Sequence, residues 1–412
     1  MGFSQSVSGL NAASSSLDVI GNNIANSATV GFKASSVAFA DMFDGSSSAV
    51  GMGTQVSKIV QNFNDGTPTT TSRNLDIAIS QNGFFRLENS AGSVYYSRNG
   101  QFTLDKNSNI TDMQGKYLTG YPASTDTPPV ILQGADPVKL TVPQSSMAAQ
   151  ASTTGKMVVN LDSNTTVIAP PITPTTFNPD NPATYNYVTS MTAFDSLGNT
   201  HNVSMYFVKT AINTWDLYPI DRSAAPPPSF TATTFQFDPS GKLTAPAPAA
   251  TVTVALGALN GSLAGTMNVD FTGTTQQNSG AGSATSMLSQ NGYPAGNFVG
   301  FVINQDGKIA GNFSNQQQQL LGQIVLANFT NTEGLVPQGD NTWQPGAESG
   351  QAMLGLAGQG NYGRLTAGAL ESSNTDLGNE LVNMIVAQRA YQSNAQSIKT
   401  QDSILNTLVN LR

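Results

Sequence analysis

The sequence predicts an α+β fold that is mainly β, in which paired N- and C-terminal coiled-coil helices accompany two nested β domains of barrel or sandwich type. Two observations support this prediction. At both ends of the chain, apolar and small residues recur at alternating steps of four and three, which is the spacing of a coiled-coil seam. Between the ends, short runs of strand-forming residues alternate with turns rich in Gly, Asn and Pro. A chain with a seam at each end can pair its ends with each other or with the ends of neighbouring copies.

The first helix is expected over about residues 4–27, with Gly31 as the stop signal, because glycine readily takes a left-handed conformation after a helix. The second helix carries polar side chains at Gln388 and Asp402 of its seam, and polar seam positions lower stability while fixing the register. The predicted seam positions are Phe3, Val7, Leu10, Leu17 and Ile24 in the first helix and Met384, Tyr391, Ile398, Leu405 and Val409 in the second.

The region between the helices is expected to be nested, because termini that meet require the chain to leave and return. Residues 75–121 are predicted to form hairpins, with an Asn99-Gly100 turn, and the composition shifts near residue 145 to Pro-rich and Ala/Thr-rich stretches. The hairpin pattern returns near Asn291-Gly292. The expected divisions are a terminal helical domain (1–28 and 369–412), an extended connector (29–70 and 358–368), an inner β domain (71–145 and 285–357) and an outer inserted β domain (146–284).

Composition and charge exclude several classes of function. Only 10% of the 412 residues are charged and the net charge is -8, which disfavours nucleic acid and anionic membranes as partners. Because the chain has no cysteine, thiolate metal sites are excluded, and the single histidine, His201, lies in a predicted strand where a structural role is expected. No metal or cofactor is therefore expected. No apolar run reaches the length of a membrane span, and the first residues lack the pattern of a cleaved signal peptide.

Two motifs suggest chemistry that their context does not support. Residues 105–109 begin like a calcium loop, but Ile110 and Lys116 replace the required glycine and glutamate, so a polar hairpin turn is expected. Residues 358–363 match G-x-G-x-x-G, but no helical pattern follows, so a flexible joint is expected instead of a dinucleotide site. No paired carboxylates or nucleophile motif stands out, and the sequence predicts no enzyme.

Two stretches carry a long and specific pattern in the right order. They span residues 9–12, 17–26 and 29–33 near the start, and residues 368–374, 380–382 and 388–392 near the end. Both resemble the signatures of the bacterial flagellar rod and hook protein family. The signature residues carried over by this resemblance are Asn22, Asn23, Asn26, Thr29, Gly31, Phe32, Lys33, Glu371 and Asn374.

The resemblance implies a tubular homopolymer that joins the flagellar rod to the filament and transmits torque while bending, as a universal joint. The implied partners are further copies of the chain, the rod, the hook cap, the hook–filament junction proteins and the export apparatus, with no nucleic acid and no membrane. The implied location is the hook, outside the cell, after type III export without a cleaved signal peptide. Phe39 and Phe43 resemble the Phe-x-x-x-apolar motif that exported subunits present to the export gate.

Length and the inserted β domain favour the hook branch of the family over the rod branch. One alternative is a distal-rod-type protein, which would form straight and rigid tubes. Another is a secreted β-rich adhesin or capping protein. A carbohydrate-acting enzyme on a β scaffold is disfavoured, because the sequence lacks a clear carboxylate pair.

Overall fold

The computed structural model describes residues 2–42, 51–124, 126, 128–169, 172–247 and 250–410. The chain forms two compact units. Unit 1 contains residues 1–144, 300–312 and 318–412, and unit 2 contains residues 145–299 and 313–317. The predicted fold class is confirmed, since one long helix lies at each end of the chain and β strands fill the sequence between them. No helix among the described residues is both long and apolar enough to cross a membrane.

The helices are α1 (Gly2–Ala25) and α2 (Leu377–Asn410), and short 3₁₀ turns occur at Pro182–Thr184 and Thr332–Gly334. The strands are β1 (Ser35–Met42), β2 (Gly53–Gln61), β3 (Pro68–Thr70), β4 (Ile77–Ser80), β5 (Phe84–Glu88), β6 (Val94–Ser97), β7 (Thr103–Leu104), β8 (Ile110–Thr111), β9 (Tyr117–Pro122), β10 (Val138–Lys139), β11 (Thr154–Leu161), β12 (Tyr187–Phe194), β13 (Thr200–Ala211), β14 (Thr214–Asp221), β15 (Thr233–Phe237), β16 (Leu243–Ala245), β17 (Thr251–Leu256), β18 (Gly265–Asp270), β19 (Thr275–Gln276), β20 (Ala284–Gln290), β21 (Phe298–Ile303), β22 (Lys308–Phe313), β23 (Gln318–Asn328), β24 (Val336–Pro337), β25 (Thr342–Gln344), β26 (Met353–Leu356), β27 (Arg364–Ala367) and β28 (Ala369–Glu371).

Unit 1 combines the two helices with a curled sheet. Its main strand path is β21-β22-β23-β9-β5-β6-β25-β24, and β23 pairs with both β5 and β9. An aromatic cluster lies beside this sheet, where Phe84 and Trp343 meet edge to face at 5.9 Å and Tyr96 meets Phe329 at 4.9 Å. Two further pairs, β3 with β28 and β4 with β27, join the outgoing and returning parts of the chain. These pairs bring residues about 70 and 370 together below the helices.

Unit 2 is a sandwich of two sheets. One sheet has the strand path β12-β13-β14-β15-β16, and the other has the path β17-β18-β11-β19 with β20 on β11. The sheets share a core in which Trp215, Phe207 and Phe271 are fully buried. A second cluster around Tyr218 covers the other face of β13 and β14. Alternating burial along β17 and β18, visible in their sequences TVTVAL and GTMNVD, is what a strand with one core-facing side requires.

Several strands and helices begin or end at positions other than the expected domain boundaries. The connector is not merely extended, since β1 and β2 form an antiparallel hairpin within residues 29–70. Residues 369–371 are a strand, β28, and the second helix begins only at Leu377. The boundary near residue 285 falls inside β20, which pairs with β11 of unit 2. The backbone hydrogen bonds between paired strands determine where these elements begin and end, and amino-acid composition does not reveal those bonds.

The predicted flexible joint at residues 358–363 is also corrected, because these residues form a tight turn. The Gly358 N–H donates to the Gly363 carbonyl (2.9 Å), and the Gly363 N–H donates to the Asn82 carbonyl (2.7 Å). A Cβ at Gly363 would lie 1.9 Å from the Ser80 carbonyl oxygen. Glycine is therefore required here for close backbone approach to β4.

Candidate functional site: the helix pair and its buried ion cluster

The two terminal helices pair antiparallel in a register set by two contacts. The Asn23 amide donates to Glu380 Oε1 at 3.1 Å near one end. Near the other end Gly9 packs so closely that an added Cβ would lie 2.8 Å from the Asn394 amide nitrogen. Both contacts belong to the same register, which places Phe3 opposite Thr400. Asp376 caps the N-terminus of α2. In this register α2 extends past the start of α1, and the last two turns of α2 have no α1 residue opposite them.

On α2, the side that packs against α1 differs from the predicted seam. Every second position of the observed stripe lies one residue before the predicted position. Gln388 and Asp402, predicted on the seam, are exposed, whereas Ala387 is 8% exposed and Asn394 faces Gly9. The shift has a physical reason: α1 presents small residues, so a small and a polar side chain of α2 can approach it closely. The observed stripe still alternates four-three steps, and it includes Met384, Ala387, Asn394 and Ile398, which are all partly or fully buried.

The predicted seam residues have different environments in the monomer. Val7, Leu10, Leu17, Ile24, Met384 and Ile398 are partly buried. Phe3, Tyr391 and Leu405 are exposed, with 51%, 37% and 56% of their surface accessible. Leu405 is exposed because it lies in the part of α2 that extends beyond α1. Val409 lies on α2, but its side chain is outside the described residues.

The helix pair buries little apolar surface of its own. The buried apolar side chains of the described helical residues are Ala12, Ala13 and Ala387. Large apolar side chains on α2 instead face solvent, and their exposed fractions reach 60% at Val382 and 61% at Val386. Exposed apolar side chains this dense, on a helix with few buried contacts, indicate an interaction surface.

The hairpin β1–β2 packs against α1 and is held there by polar contacts. The Asn23 side chain bonds both backbone groups of Ser35: its amide donates to the carbonyl (2.8 Å) and its oxygen accepts from the N–H (2.9 Å). Phe39, one of the two predicted export-motif residues, lies on β1, is 46% exposed, and lines a groove between α1, the hairpin and α2. Phe43, the other one, lies outside the described residues.

A buried ion cluster lies below the helices, where the chain leaves α1 and returns to α2. The Lys33 ammonium lies 2.6 Å from Glu371 Oε1 and donates to the Asn64 carbonyl at 2.7 Å. The other carboxylate oxygen of Glu371 lies 3.2 Å from Nη1 of Arg98, which is also 3.2 Å from Asp65. Lys33, Glu371 and Arg98 are each at most 3% exposed. Lys33, Arg98 and Glu371 thus lie almost closed to water, and Asp65, whose side chain is 41% exposed, supplies the second carboxylate at the edge of the cluster.

The electrostatics of this cluster depend on pairing. Burial lowers the pKa of the Lys33 ammonium below its ordinary value; the neighbouring Arg98 lowers it further, while Glu371 and Asp65 oppose the shift. Burying a charge is costly unless it is paired and hydrogen-bonded, so each member of the cluster requires the others. The cluster can form only when residues 33, 65, 98 and 371 are brought together.

The remaining signature residues support the same junction. Asn374 accepts from the Ala34 N–H (2.8 Å) and donates to the carbonyls of Asn62 and Asn64 (2.7 and 3.0 Å). Gly31 has a φ of +67°, which strains residues other than glycine, and an added Cβ would lie 2.7 Å from the backbone carbon of Arg98. Both the backbone conformation and the lack of space therefore require glycine here.

The turns that lead from α1 to Gly31 use four more signature residues. The Asn26 amide donates to the Asn22 carbonyl, and the Thr29 hydroxyl donates to the Asn26 side-chain oxygen. The Phe32 N–H donates to the Thr29 carbonyl.

Sequence reasoning missed the partners that complete the cluster. Arg98 lies within the predicted hairpins of residues 75–121, and Asp65 and Asn64 lie within the predicted connector, so local sequence patterns do not link them to Glu371. Only 10% of the residues in the chain are charged, and four of them meet here. The rarity of charged residues is the feature of the sequence that could have drawn attention to Asp65 and Arg98. No group of three or more His, Asp or Glu side chains within the described ranges is arranged to hold a metal ion.

Four families match successive parts of the chain. Residues 5–33 match the family described as Flagella basal body rod protein, and residues 78–159 match the Flagellar hook protein FlgE/F/G D1 domain. Residues 160–293 match the Flagellar basal body protein FlaE D2 domain, and residues 366–411 match the Flagellar basal body rod FlgEFG protein C-terminal.

Whole-chain relatives agree with these matches. The flagellar hook protein FlgE of Escherichia coli (strain K12) is 57% identical over 412 residues, with 100% of both chains covered. That of Salmonella typhimurium (strain LT2) is 56% identical over 414 residues, again with 100% of both covered. The crystal structure of Helicobacter pylori flagellar hook protein FlgE2 has a TM-score of 0.54 at 16% identity, covering 74% of this chain and 100% of that one, and supports the fold alone. The chain belongs to the flagellar hook protein FlgE family.

Proposed function

We propose that this chain is the structural subunit of the flagellar hook. It self-assembles into a curved tubular homopolymer that joins the rod to the filament and transmits motor torque as a flexible universal joint. The observation that carries the proposal is an α2 helix whose large apolar side chains face solvent, in a chain matched over its whole length by hook proteins. Such a surface needs a partner, and a homopolymer supplies one from further copies.

The proposal extends to location and partners. The subunit leaves the cell through the flagellar type III apparatus and is placed in the hook. Its neighbours there are the rod at one end and the hook–filament junction proteins at the other, with the hook cap present during growth. Neither nucleic acid nor membrane is a partner, which accords with a net charge of -8.

We infer a structural and not a catalytic role. His201, the chain's only histidine, is fully buried, with Nδ1 2.7 Å from Asp221 and Nε2 3.4 Å from Asp195. A substrate cannot reach a ring enclosed in this way, and general acid–base chemistry requires such contact. The His201 contacts instead join the β12–β13 turn to the end of β14.

Assembly of purified protein tests the proposal against its alternatives. Concentrated subunits should form tubes that appear curved by electron microscopy of negatively stained samples. Straight rigid tubes would favour a distal-rod-type protein. Subunits that stay monomeric over a wide range of concentration and salt would favour an adhesin or capping protein and would overturn the proposal.

Bending, in this proposal, arises from rigid-body movement between units and between copies, with interiors unchanged. Unit 2 supports this idea, because its core is closely packed with fully buried aromatic and aliphatic side chains. A variant that joins residue 144 directly to residue 300 should still assemble through its helices, with altered curvature. Comparison of subunits around a curved tube would refute the mechanism if unit interiors distort as much as their spacing changes.

The export motif is tested separately through Phe39. Replacing Phe39 by Ala should reduce secretion of the chain, because an unfolded substrate presents this ring to the export gate. The purified variant should assemble like the wild type, which isolates export from assembly. Unchanged secretion would remove Phe39 from the proposal without affecting the role of the chain in the hook.

A further inference from the structure

The exposed apolar side chains of α2 are concentrated in two places. Near its start, Leu377, Leu381 and Ile385 are 46%, 50% and 52% exposed. Their spacing of four residues aligns them along one side of the helix, and we call them the leading stripe. Near its end, Ile404 and Leu405 are 55% and 56% exposed. Val382 and Val386, 60% and 61% exposed, lie beside this stripe. From residue 387 to residue 403, the exposed positions of α2 carry mainly Gln, Ser, Thr and charged side chains, with Ala390 and Tyr391 as the exceptions.

The second group lies in what we call the overhang, residues 402–410 of α2. α1 has 24 residues and α2 has 34, and the register leaves the overhang without an α1 residue opposite. Leu405 continues the side of α2 that carries Met384, Tyr391 and Ile398, since all four are separated by steps of seven. The side that packs against α1 within the chain therefore continues into a part of α2 where the chain itself provides no partner.

We propose that the overhang of one copy packs, through the Leu405 side, on the leading stripe of a second copy. The proposal rests on the proposed function as a homopolymer and names the contact that links its copies. The overhang is continuous with the interface already made to α1, which favours a second copy of the same helix pair as the occupant. Two different patches of one chain that fit each other give a heterologous contact, and repeated heterologous contacts give an open assembly.

The geometry sets the spacing of this contact. Leu381 and Leu405 are 24 residues apart, or about 36 Å along the axis at 1.5 Å per residue. A second copy displaced by about this length along the helix brings its leading stripe to the overhang of the first. In this arrangement the mainly polar middle of α2 takes no part in the contact.

A matched pair of variants tests which side of the overhang is used. Leu405→Asp places a charge on the proposed contact, and Ile404→Asp places the same charge on a neighbour of equal exposure that points about 100° away. The concentration needed for assembly should rise at least tenfold for Leu405→Asp and less than twofold for Ile404→Asp. Monomers of both variants should keep the wild-type circular dichroism spectrum, because both positions are exposed. Equal effects of the two variants would overturn the proposal.

Cross-linking tests the second copy's surface directly, because the chain contains no cysteine of its own. In a Leu381→Cys/Leu405→Cys variant, the two thiols of one chain are too far apart for a disulfide, which needs Cα atoms within about 7 Å. Oxidation of assembled tubes should therefore give a ladder of covalent oligomers, while dilute monomer stays uncross-linked.

The outcomes separate this contact from the proposed function. Tubes that assemble but give no ladder would refute the contact and leave the hook subunit intact. Dimers from the single Leu405→Cys variant would show overhangs paired with each other and would also refute it. Failure of the wild-type chain to form any tube would instead contradict the proposed function.

Discussion

Glu371 and Lys33 form an ion pair of 2.6 Å although 338 residues separate them in sequence, and both side chains are almost completely buried. The pair lies where the chain leaves α1 and where it returns toward α2. Arg98, on the loop after β6, completes the arrangement from the side of the sheet. The helices are therefore attached to the body of unit 1 by charge, at a place where the sequence suggested only a flexible connector.

Replacing Glu371 by Gln should destabilise unit 1. The change keeps the shape but leaves Lys33 and Arg98 buried with one carboxylate fewer, and breaking a buried pair in this way costs about 3–5 kcal/mol. Chemical denaturation of the monomer measures the loss. The control is Glu348→Gln, because the Lys58–Glu348 pair is 3.8 Å apart with side chains 44% and 76% exposed, and its loss should cost at most about 1 kcal/mol. Equal effects at both sites would contradict the role of the cluster.

The close contact at Gly9 predicts opposite results for two glycines of α1. Gly9→Leu should separate the helices, because even a Cβ would meet the Asn394 side chain at 2.8 Å. Gly21→Leu should strengthen α1 by roughly 0.8–1 kcal/mol, because a Cβ there meets open space and leucine favours helix over glycine. Hydrogen exchange of α1 and α2 amides in dilute monomer distinguishes the two. Exchange should be faster than in the wild type for Gly9→Leu and slower for Gly21→Leu. Faster exchange in both variants would contradict the expected stabilisation of α1 by Gly21→Leu.

Acid should weaken unit 2 through Asp195. Burial raises the pKa of this carboxyl, but hydrogen bonds from Ser262, Asn199 and His201 outweigh burial and hold the pKa well below its ordinary value. A depressed carboxyl pKa gives stability that is fully present above the unfolded-state value of about 3.9 and is lost as the pH falls below it.

The measurement follows the fluorescence of the buried Trp215 during denaturation in a Trp343→Phe background, in which unit 2 carries the only tryptophan. Below about pH 4, the free energy of unfolding of unit 2 should fall less steeply in Asp195→Asn than in the parent protein. Parallel pH dependences of the two proteins would assign the acid sensitivity to other carboxyls.

Proteases should trim the dilute monomer at both ends and stop at the ion cluster. The helix pair buries mainly alanine side chains and is marginal without neighbouring copies, whereas the cluster holds both junction segments to unit 1. Mass spectrometry should find a stable fragment of about residues 29–375. Full protection of α1 and α2 in dilute monomer would contradict this expectation, and trimming to residues inside 70–365 would show that the cluster is weak.

The sequence was sufficient for those features that depend on local periodicity. The two terminal helices, the β body between them and the strand that contains His201 all follow from residue spacing and turn chemistry. The hairpin of β1 and β2 is harder to predict, because its strands SSVAFADM and GTQVSKIVQ do not alternate apolar and polar residues regularly, and their packing on α1 stabilises them.

The phase of the α2 seam depends on a different kind of information. A stripe that includes Gln388 and one that includes Ala387 are equally good by spacing, and only the close approach of Gly9 to Asn394 decides between them. The partners of Glu371 are likewise not local, because residues 65 and 98 reach it only through the folded sheet. Long-range contacts of this kind are invisible to any window of neighbouring residues.

The sequence separation of the ion cluster also sets an order of events during folding. The local hairpins of unit 1 close short loops. The β4–β27 and β3–β28 pairs, by contrast, join distant parts of the chain, as do the Asn23–Glu380 contact, which spans 357 residues, and the Lys33–Glu371 contact, which spans 338. Closing a longer loop costs more chain entropy, and contacts of high separation form late. A chain that has not yet delivered residue 371 can therefore contain the sandwich of unit 2 and the local hairpins of unit 1, but neither the β3–β28 pair nor the paired helices. The surface through which copies join is completed last, so an unfinished subunit cannot enter the tube.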